Sequence, residues 1–136
     1  VCNSKKSYVN SISECAKNLG IVFQIKDDLL DYLGNENALG KPAFQDIKEG
    51  KVTYPFYFAY QSANSHDKKI LSTMLGNKKV SHSKVSNLIE KLGGINDTEN
   101  LAIKYINKCK VLAGKLDNDI QQEMLKLLDS SINRIR

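Results

Sequence analysis

Four side chains that carry oxygen share one face of a predicted helix in the first quarter of the chain. Gln24, Asp27, Asp28 and Asp31 occupy positions i, i+3, i+4 and i+7, which lie on one side of an α-helix. Because like charges at this spacing repel, and because carboxylates near a helix C-terminus oppose the macrodipole, the arrangement favours binding of a cation. Hard carboxylate oxygens on a rigid element suit Mg²⁺, which takes one or two carboxylates together with water and phosphate oxygens.

The segment that follows carries charges suited to a phosphorylated ligand. Between Gly34 and Thr53, Lys41 follows a glycine, Asp46 adds a carboxylate, and Lys51 ends a Glu-Gly-Lys sequence. If this segment folds back on the helix, its lysines face the carboxylates across a gap in which a metal-bound diphosphate fits. A solvated acidic face and solvated loop lysines are the plainer alternative for each feature taken alone, but their combination favours a diphosphate site.

Helical periodicity organises the chain around these residues. Apolar residues recur at helical spacing, and no segment shows the period of two that is typical of strands. Helices are predicted over residues 7–33, 54–60, 67–75, 83–92, 96–116 and 119–134. Residues 34–53 are predicted to form a long polar loop, and Pro55 is placed in the first turn of the next helix. The predicted fold class is therefore all-α, an antiparallel helix bundle that forms a single helical unit over residues 1–136.

Composition excludes several classes of protein. A chain of 136 residues with 41% hydrophobic and 26% charged residues suits one compact domain, and it has no apolar run long enough to cross a bilayer. The net charge of +5 comes mainly from scattered lysines, since only Arg134 and Arg136 are arginines, and this disfavours binding of nucleic acid. Three cysteines without C-x-x-C spacing disfavour a disulfide framework or a zinc site, and favour the cytoplasm, with an organelle as the alternative.

The region from Gly20 to Pro55 carries a specific pattern of residues. It contains G-x-x-F-Q-x-x-D-D-x-x-D, then G-K, then D-I-x-E-G-K-x-T-x-P. This pattern resembles the second aspartate-rich region of trans-isoprenyl diphosphate synthases, and residues 93–102 are similar to a later helical hairpin of that family. The resemblance covers essentially the whole chain, and it implies the C-terminal half of an isoprenoid-synthase fold.

That resemblance implies a prenyltransferase, which condenses isopentenyl diphosphate with an allylic diphosphate to give a longer trans-polyprenyl diphosphate with the help of Mg²⁺. The residues that it assigns to the metal are Asp27, Asp31 and Asp46, with Asp28 in support. The residues that it assigns to the diphosphate are Lys41 and Lys51, and those that it places beside the prenyl chains are Phe23 and Gln24.

Two features depart from the family pattern. No second D-D-x-x-D is present, and no arginine precedes position 134, whereas the family carries an earlier aspartate-rich motif followed by paired arginines. The chain alone is therefore expected to be inactive and to need an N-terminal half or a partner subunit, with a homodimer expected for the complete enzyme. A non-catalytic subunit is the alternative that the missing motif favours. A terpene cyclase is disfavoured by the all-aspartate motif, and a generic helical interaction domain leaves the G-K and E-G-K segments unexplained.

Overall fold

A computed structural model describes residues 6–33 and 44–132, and these residues form seven α-helices. The helices are α1 Lys6–Leu33, α2 Gln45–Lys48, α3 Tyr54–Ser62, α4 Ser65–Met74, α5 His82–Lys91, α6 Gly94–Ala113 and α7 Asn118–Ile132. The described part of the chain is 82% helical and contains no strand, which confirms the all-α class. Within these two ranges, no helix combines the length and the apolar character that crossing a membrane requires.

The described residues divide into two compact units, each with its own core. The first contains the residues up to Lys26 and from Leu101 onward, and the second contains the residues from Asp27 to Asn100. The core of the first is formed by Cys15, Leu19, Val22, Ile106, Cys109, Ala113 and Leu128. The core of the second is formed by Tyr32, Phe44, Ile47, Phe56, Ala59, Ala63, Leu71, Val85 and Ile89. The single helical unit expected over residues 1–136 stays a prediction.

Helix α1 runs without a break through Gly20 and all three aspartates, as the apolar spacing predicts. In its C-terminal part, Leu29 and Tyr32 are buried three residues apart, so this face of the helix is turned toward the core of the second unit. Asp28 and Asp31 directly precede these two residues and are buried with them. The apolar stripe of α1 therefore determines which carboxylates enter the protein interior.

The predicted loop between α1 and α3 contains a helical turn, so the prediction of a continuous loop over residues 34–53 is wrong over α2. The buried side chains of Phe44 and Ile47 anchor this turn in the core of the second unit. Farther along, Thr53 is the N-cap of α3. Pro55 lies in the first turn of α3, where the sequence predicts it. Lys41 and the rest of the loop up to residue 43 lie outside the described residues.

Helix α6 begins two residues before the predicted start. Asn96, the predicted first residue of this helix, lies inside its first turn, because the helix starts at Gly94. Gly93 has a φ of 79° and provides the left-handed residue that separates α5 from α6. Gly94 then passes against α3 so closely that it has no room for a side chain. The glycine pair thus ends one helix and begins the next.

Gly94→Ala should destabilise the protein by about 2–4 kcal/mol. An added Cβ would collide with the carbonyl oxygen of Pro55 and would lie 3.0 Å from both the Cβ of Ala59 and the Cγ2 of Ile89. Gly20→Ala is the matched control, because a Cβ at Gly20 meets nothing within 4 Å and removes a helix-breaking glycine from α1. It should stabilise by roughly 0.5–1 kcal/mol. Urea denaturation followed by circular dichroism measures both, and equal effects of the two substitutions would contradict the close packing at Gly94.

Candidate functional site

The three aspartates at the C-terminal end of α1 differ in their exposure. Asp27 is exposed to solvent, whereas the side chains of Asp28 and Asp31 are 6% and 0% exposed. Since buried carboxylates need hydrogen-bond donors, the contacts of Asp28 and Asp31 indicate what these two residues do. Asp27 is the aspartate of the motif that is open to a ligand from solvent.

Asp31 binds the N-terminal turn of α2. Its Oδ1 accepts the backbone N–H of Gln45 at 3.3 Å, and its Oδ2 accepts the backbone N–H of Asp46 at 3.4 Å. Its carbonyl oxygen accepts the backbone N–H of Phe44 at 3.1 Å. The first N–H groups of a helix have no partner within the helix, and Phe44 at the N-cap offers no side-chain acceptor. Asp31 therefore supplies the cap that α2 lacks.

Asp28 makes the corresponding contact with α3. Its Oδ2 accepts the backbone N–H of Tyr54, the first residue of α3, at 2.9 Å. Thr53 is the N-cap of α3 but makes no side-chain hydrogen bond to that helix. Its hydroxyl instead bonds the hydroxyl of Tyr32 at 2.9 Å. The buried carboxylates of Asp28 and Asp31 thus attach the N-terminal ends of α2 and α3 to the end of α1.

Lys51 is held as a cation by two acidic residues. Its Nζ lies 2.8 Å from Glu49 Oε2 and 3.0 Å from Asp46 Oδ1. The pKa of the Lys51 ammonium is raised above its ordinary value, mainly by the hydrogen bond to Glu49 and next by the hydrogen bond to Asp46. The lysine side chain is still 60% exposed, so its charge remains accessible to a ligand.

A chain of contacts links Lys51 to the buried aspartate. Asp31 binds the backbone of Asp46, and the side chain of Asp46 binds Lys51. A turn brings Lys51 back beside Asp46. In this turn the Lys51 N–H donates to the Asp46 carbonyl oxygen at 2.9 Å, and Gly50 adopts a left-handed φ of 79°. Glu49 was not among the predicted site residues, although its place before the glycine in E-G-K is a signal that could have indicated it.

The remaining predicted site residues are Phe23, Gln24 and Lys41. Phe23 and Gln24 are exposed on α1 and belong to the first unit. The Nζ of Lys26 lies 5.7 Å from the centroid of the Phe23 ring, a cation–π arrangement. The predicted contact of Lys41 with diphosphate falls outside the described residues. The second unit therefore connects Asp31, Asp46 and Lys51 directly.

The carboxylate oxygens of the second unit fit magnesium as part of its ligand set, with the remaining ligands coming from water and substrate. Within the described residues, no group of three histidine, cysteine or acidic side chains could hold a metal ion. Both oxygens of Asp31 and one of Asp28 already accept backbone N–H groups. The exposed Asp27 offers hard carboxylate oxygens, so magnesium fits if water and phosphate oxygens of a substrate complete its shell.

Burial of Tyr32, which is hydrogen-bonded to Thr53, should make the free energy of unfolding depend on pH in the alkaline range. Burial raises the pKa of Tyr32 above its ordinary value of 10.0. The hydrogen bond with Thr53 opposes this shift, and the nearby Asp31 and Asp28 carboxylates add to it. The folded state therefore keeps its proton more tightly than the unfolded state, so this contribution is complete below pH 10 and is lost as the pH rises above it. Urea denaturation across this range should show a flatter loss of stability in Tyr32→Phe, and identical pH profiles would contradict the prediction.

Comparison with known proteins gives a consistent result. The polyprenyl synthetase family model matches residues 1–92. A short chain isoprenyl diphosphate synthase from Methanocaldococcus jannaschii is 40% identical over 91 residues, which are 67% of this chain and 27% of that protein. A geranylgeranyl diphosphate synthase from Sulfolobus acidocaldarius is 34% identical over 135 residues, 94% of this chain and 40% of that protein.

A solved structure agrees with these relatives. The crystal structure of a polyprenyl synthase from Caulobacter crescentus, complexed with calcium and isoprenyl diphosphate, matches with a TM-score of 0.78 and 28% identity. The match covers 93% of this chain and 39% of that one. The chain thus spans less than half the length of each of these three proteins.

Proposed function

The chain belongs to the polyprenyl synthetase family, and from this premise we propose that it forms the diphosphate-binding part of a trans-prenyltransferase. Its proposed substrates are isopentenyl diphosphate and an allylic diphosphate, and its proposed cofactor is Mg²⁺. The main supporting observation is that Asp31 contacts Asp46, which in turn contacts Lys51. These contacts keep Lys51 protonated and accessible to solvent in the same unit as the exposed Asp27. This arrangement suits a polyanionic leaving group.

The proposed reaction separates charge at the allylic diphosphate. The C–O bond to the diphosphate breaks, the double bond of isopentenyl diphosphate attacks the resulting allylic cation, and loss of a proton leaves a chain that is five carbons longer. Lys51 stabilises the negative charge that develops on the leaving diphosphate, and Lys41 is proposed to do the same. Bound Mg²⁺ supplies further positive charge to the diphosphate oxygens.

The aspartates have separate proposed roles in this reaction. Asp27 is the proposed direct ligand of Mg²⁺, because its carboxylate is exposed. Asp46 is the second proposed ligand, since its side chain is 17% exposed although it binds Lys51. The metal role that the resemblance assigns to Asp31 stays a prediction. Because both Asp31 oxygens accept backbone N–H groups, we propose that Asp31 holds α2, as Asp28 holds α3, and so positions the ligands and Lys51. Phe23 and Gln24 are proposed to line the path of the prenyl chains.

The complete site requires groups that this chain does not carry. We propose that an N-terminal half or a partner subunit supplies the first aspartate-rich motif, and that the assembled enzyme is a homodimer in the cytoplasm or an organelle. The chain alone is expected to show at most trace condensation, because half of the metal-binding carboxylates of the family pattern are missing.

Complementation tests this proposal. The chain is assayed alone and mixed with the N-terminal half of a polyprenyl synthetase, using labelled isopentenyl diphosphate, an allylic primer and magnesium. Elongated product in the mixture, with at most a trace from either part, is the expected result. If the mixture forms a stable complex without product, the proposal is wrong and a non-catalytic subunit is favoured.

A pair of lysine variants sharpens the same assay. Lys51→Ala should lower kcat/KM of the complemented enzyme by roughly 10²–10³-fold, because it removes charge stabilisation from the leaving group. Lys126→Ala is the matched control, since Lys126 is a similarly exposed lysine that pairs with Glu123 at 2.7 Å on α7. It should leave activity unchanged, and an equal loss in both variants would contradict a specific role for Lys51.

A further inference from the structure

Two buried cysteines meet in the core of the first unit. Cys15 on α1 and Cys109 on α6 are 1% and 0% exposed, and both are free thiols. The Sγ of Cys15 lies 3.8 Å from the carbonyl oxygen of Cys109, and the Sγ of Cys109 lies 3.8 Å from the carbonyl oxygen of Cys15. Because each thiol reaches the backbone of the other residue, the two side chains lie next to each other between the two helices.

The surroundings of this pair are apolar. The core cluster that contains both cysteines also contains Leu19, Ile106 and Leu128. Burial raises the pKa of both thiols, and that of Cys109 reaches about 11 with an added contribution from Cys15. The thiols therefore stay protonated at neutral pH and react slowly, and the proposed prenyl transfer gives them no role.

We propose that Cys15 and Cys109 are a site of reversible oxidation, at which hydrogen peroxide joins the two thiols in a disulfide between α1 and α6. Cleavage of the peroxide O–O bond transfers one oxygen to the first sulfur and releases water. The second sulfur then attacks the resulting sulfenic acid, the S–O bond breaks, and a second water leaves with the remaining thiol proton. The peroxide is reduced, the thiol pair loses two hydrogen atoms, and a thiol reductant restores the pair by exchange.

The disulfide would connect two residues that are far apart in the sequence. The cysteines are 94 residues apart, and the bond would tie α1 to α6 within one unit. In an unfolded chain this pairing is unfavourable, because loop closure becomes less probable as the loop lengthens. Cys2 is 13 residues from Cys15, so pairing of Cys2 with Cys15 should be roughly 20-fold more probable than pairing of Cys15 with Cys109 when the chain is unfolded.

This difference provides a test that needs no variant. The native chain and a urea-unfolded sample are treated with hydrogen peroxide until the number of free thiols no longer falls, because the buried thiols react slowly. The remaining thiols are then alkylated, and the peptides are mapped by mass spectrometry. The native sample should contain mainly the Cys15–Cys109 link, and the unfolded sample mainly the Cys2–Cys15 link. A reductant added before alkylation should restore all three free thiols in both samples.

Three results would overturn the proposal. In the first, Cys15 and Cys109 are still free thiols in the native sample when the oxidation has reached its end point. In the second, they are converted separately to sulfinic acids. In the third, the native and unfolded samples show the same distribution of links. Cys109→Ala adds an independent check. When this variant is folded, as normal helical circular dichroism shows, peroxide should form no disulfide at Cys15 in the core, because the partner thiol is missing.

Discussion

Asp27→Ala should lower kcat/KM of the complemented enzyme by roughly 10²–10⁴-fold while leaving the stability of the chain unchanged. Asp27 is the exposed aspartate of the motif, whereas Asp28 and Asp31 are buried against backbone donors. Removal of an exposed carboxylate leaves no buried donor unsatisfied, so the fold has little to lose. The loss should be in turnover and in the apparent affinity for magnesium, measured by metal titration of the labelled-substrate assay.

Asp129→Ala is the control for this substitution. Asp129 is an exposed carboxylate on α7, in the other unit, and removing it changes the net charge by the same amount. It should leave both kcat/KM and the magnesium dependence at parent values. If Asp27→Ala behaves like Asp129→Ala, the aspartates of α1 form a solvated acidic face and the proposed metal site is wrong.

The sequence predicts that the aspartates of α1 share one face, but it does not predict which of them are buried. Helical spacing places Asp27, Asp28 and Asp31 within one side of a helix, and the structure confirms the unbroken helix that this requires. Neighbouring positions still differ by about 100° around the axis, so the packing partner decides which carboxylate is buried. That partner is the pair of α2 and α3, whose contacts with α1 cross 14 to 26 residues of sequence.

Helix α2 could not be predicted for the same physical reason. It has four residues, too few to be stable from local propensity, and its N-cap Phe44 has a left-handed φ of 58° with no capping side chain. Its stability depends on Asp31 and on the burial of Ile47, which are tertiary contacts. The start of α6 at Gly94 likewise depends on close contact with α3, which leaves no periodic signal in the sequence.

Asp31→Asn should destabilise the protein by about 1–3 kcal/mol although the two side chains have the same shape. An amide offers one acceptor oxygen where the carboxylate offers two, and its NH₂ group would face the backbone N–H of Gln45 or Asp46. One buried donor then loses its partner, and α2 loses part of its cap. Burying the charge of Asp31 has a cost that the amide avoids. The unsatisfied donor outweighs this cost, because each oxygen of the carboxylate accepts a backbone N–H.

Asp27→Asn is the matched variant, since it makes the same chemical change on the exposed side of the same helix. It should keep the parent's free energy of unfolding in urea and lose activity, whereas Asp31→Asn should lose stability and, through Asp46, disturb the position of Lys51. Raising the magnesium concentration should then restore part of the activity of Asp27→Asn and none of that of Asp31→Asn, because only the first acts through metal affinity. If Asp31→Asn instead is as stable as the parent and responds to magnesium like Asp27→Asn, Asp31 is itself a metal ligand and its capping role is secondary.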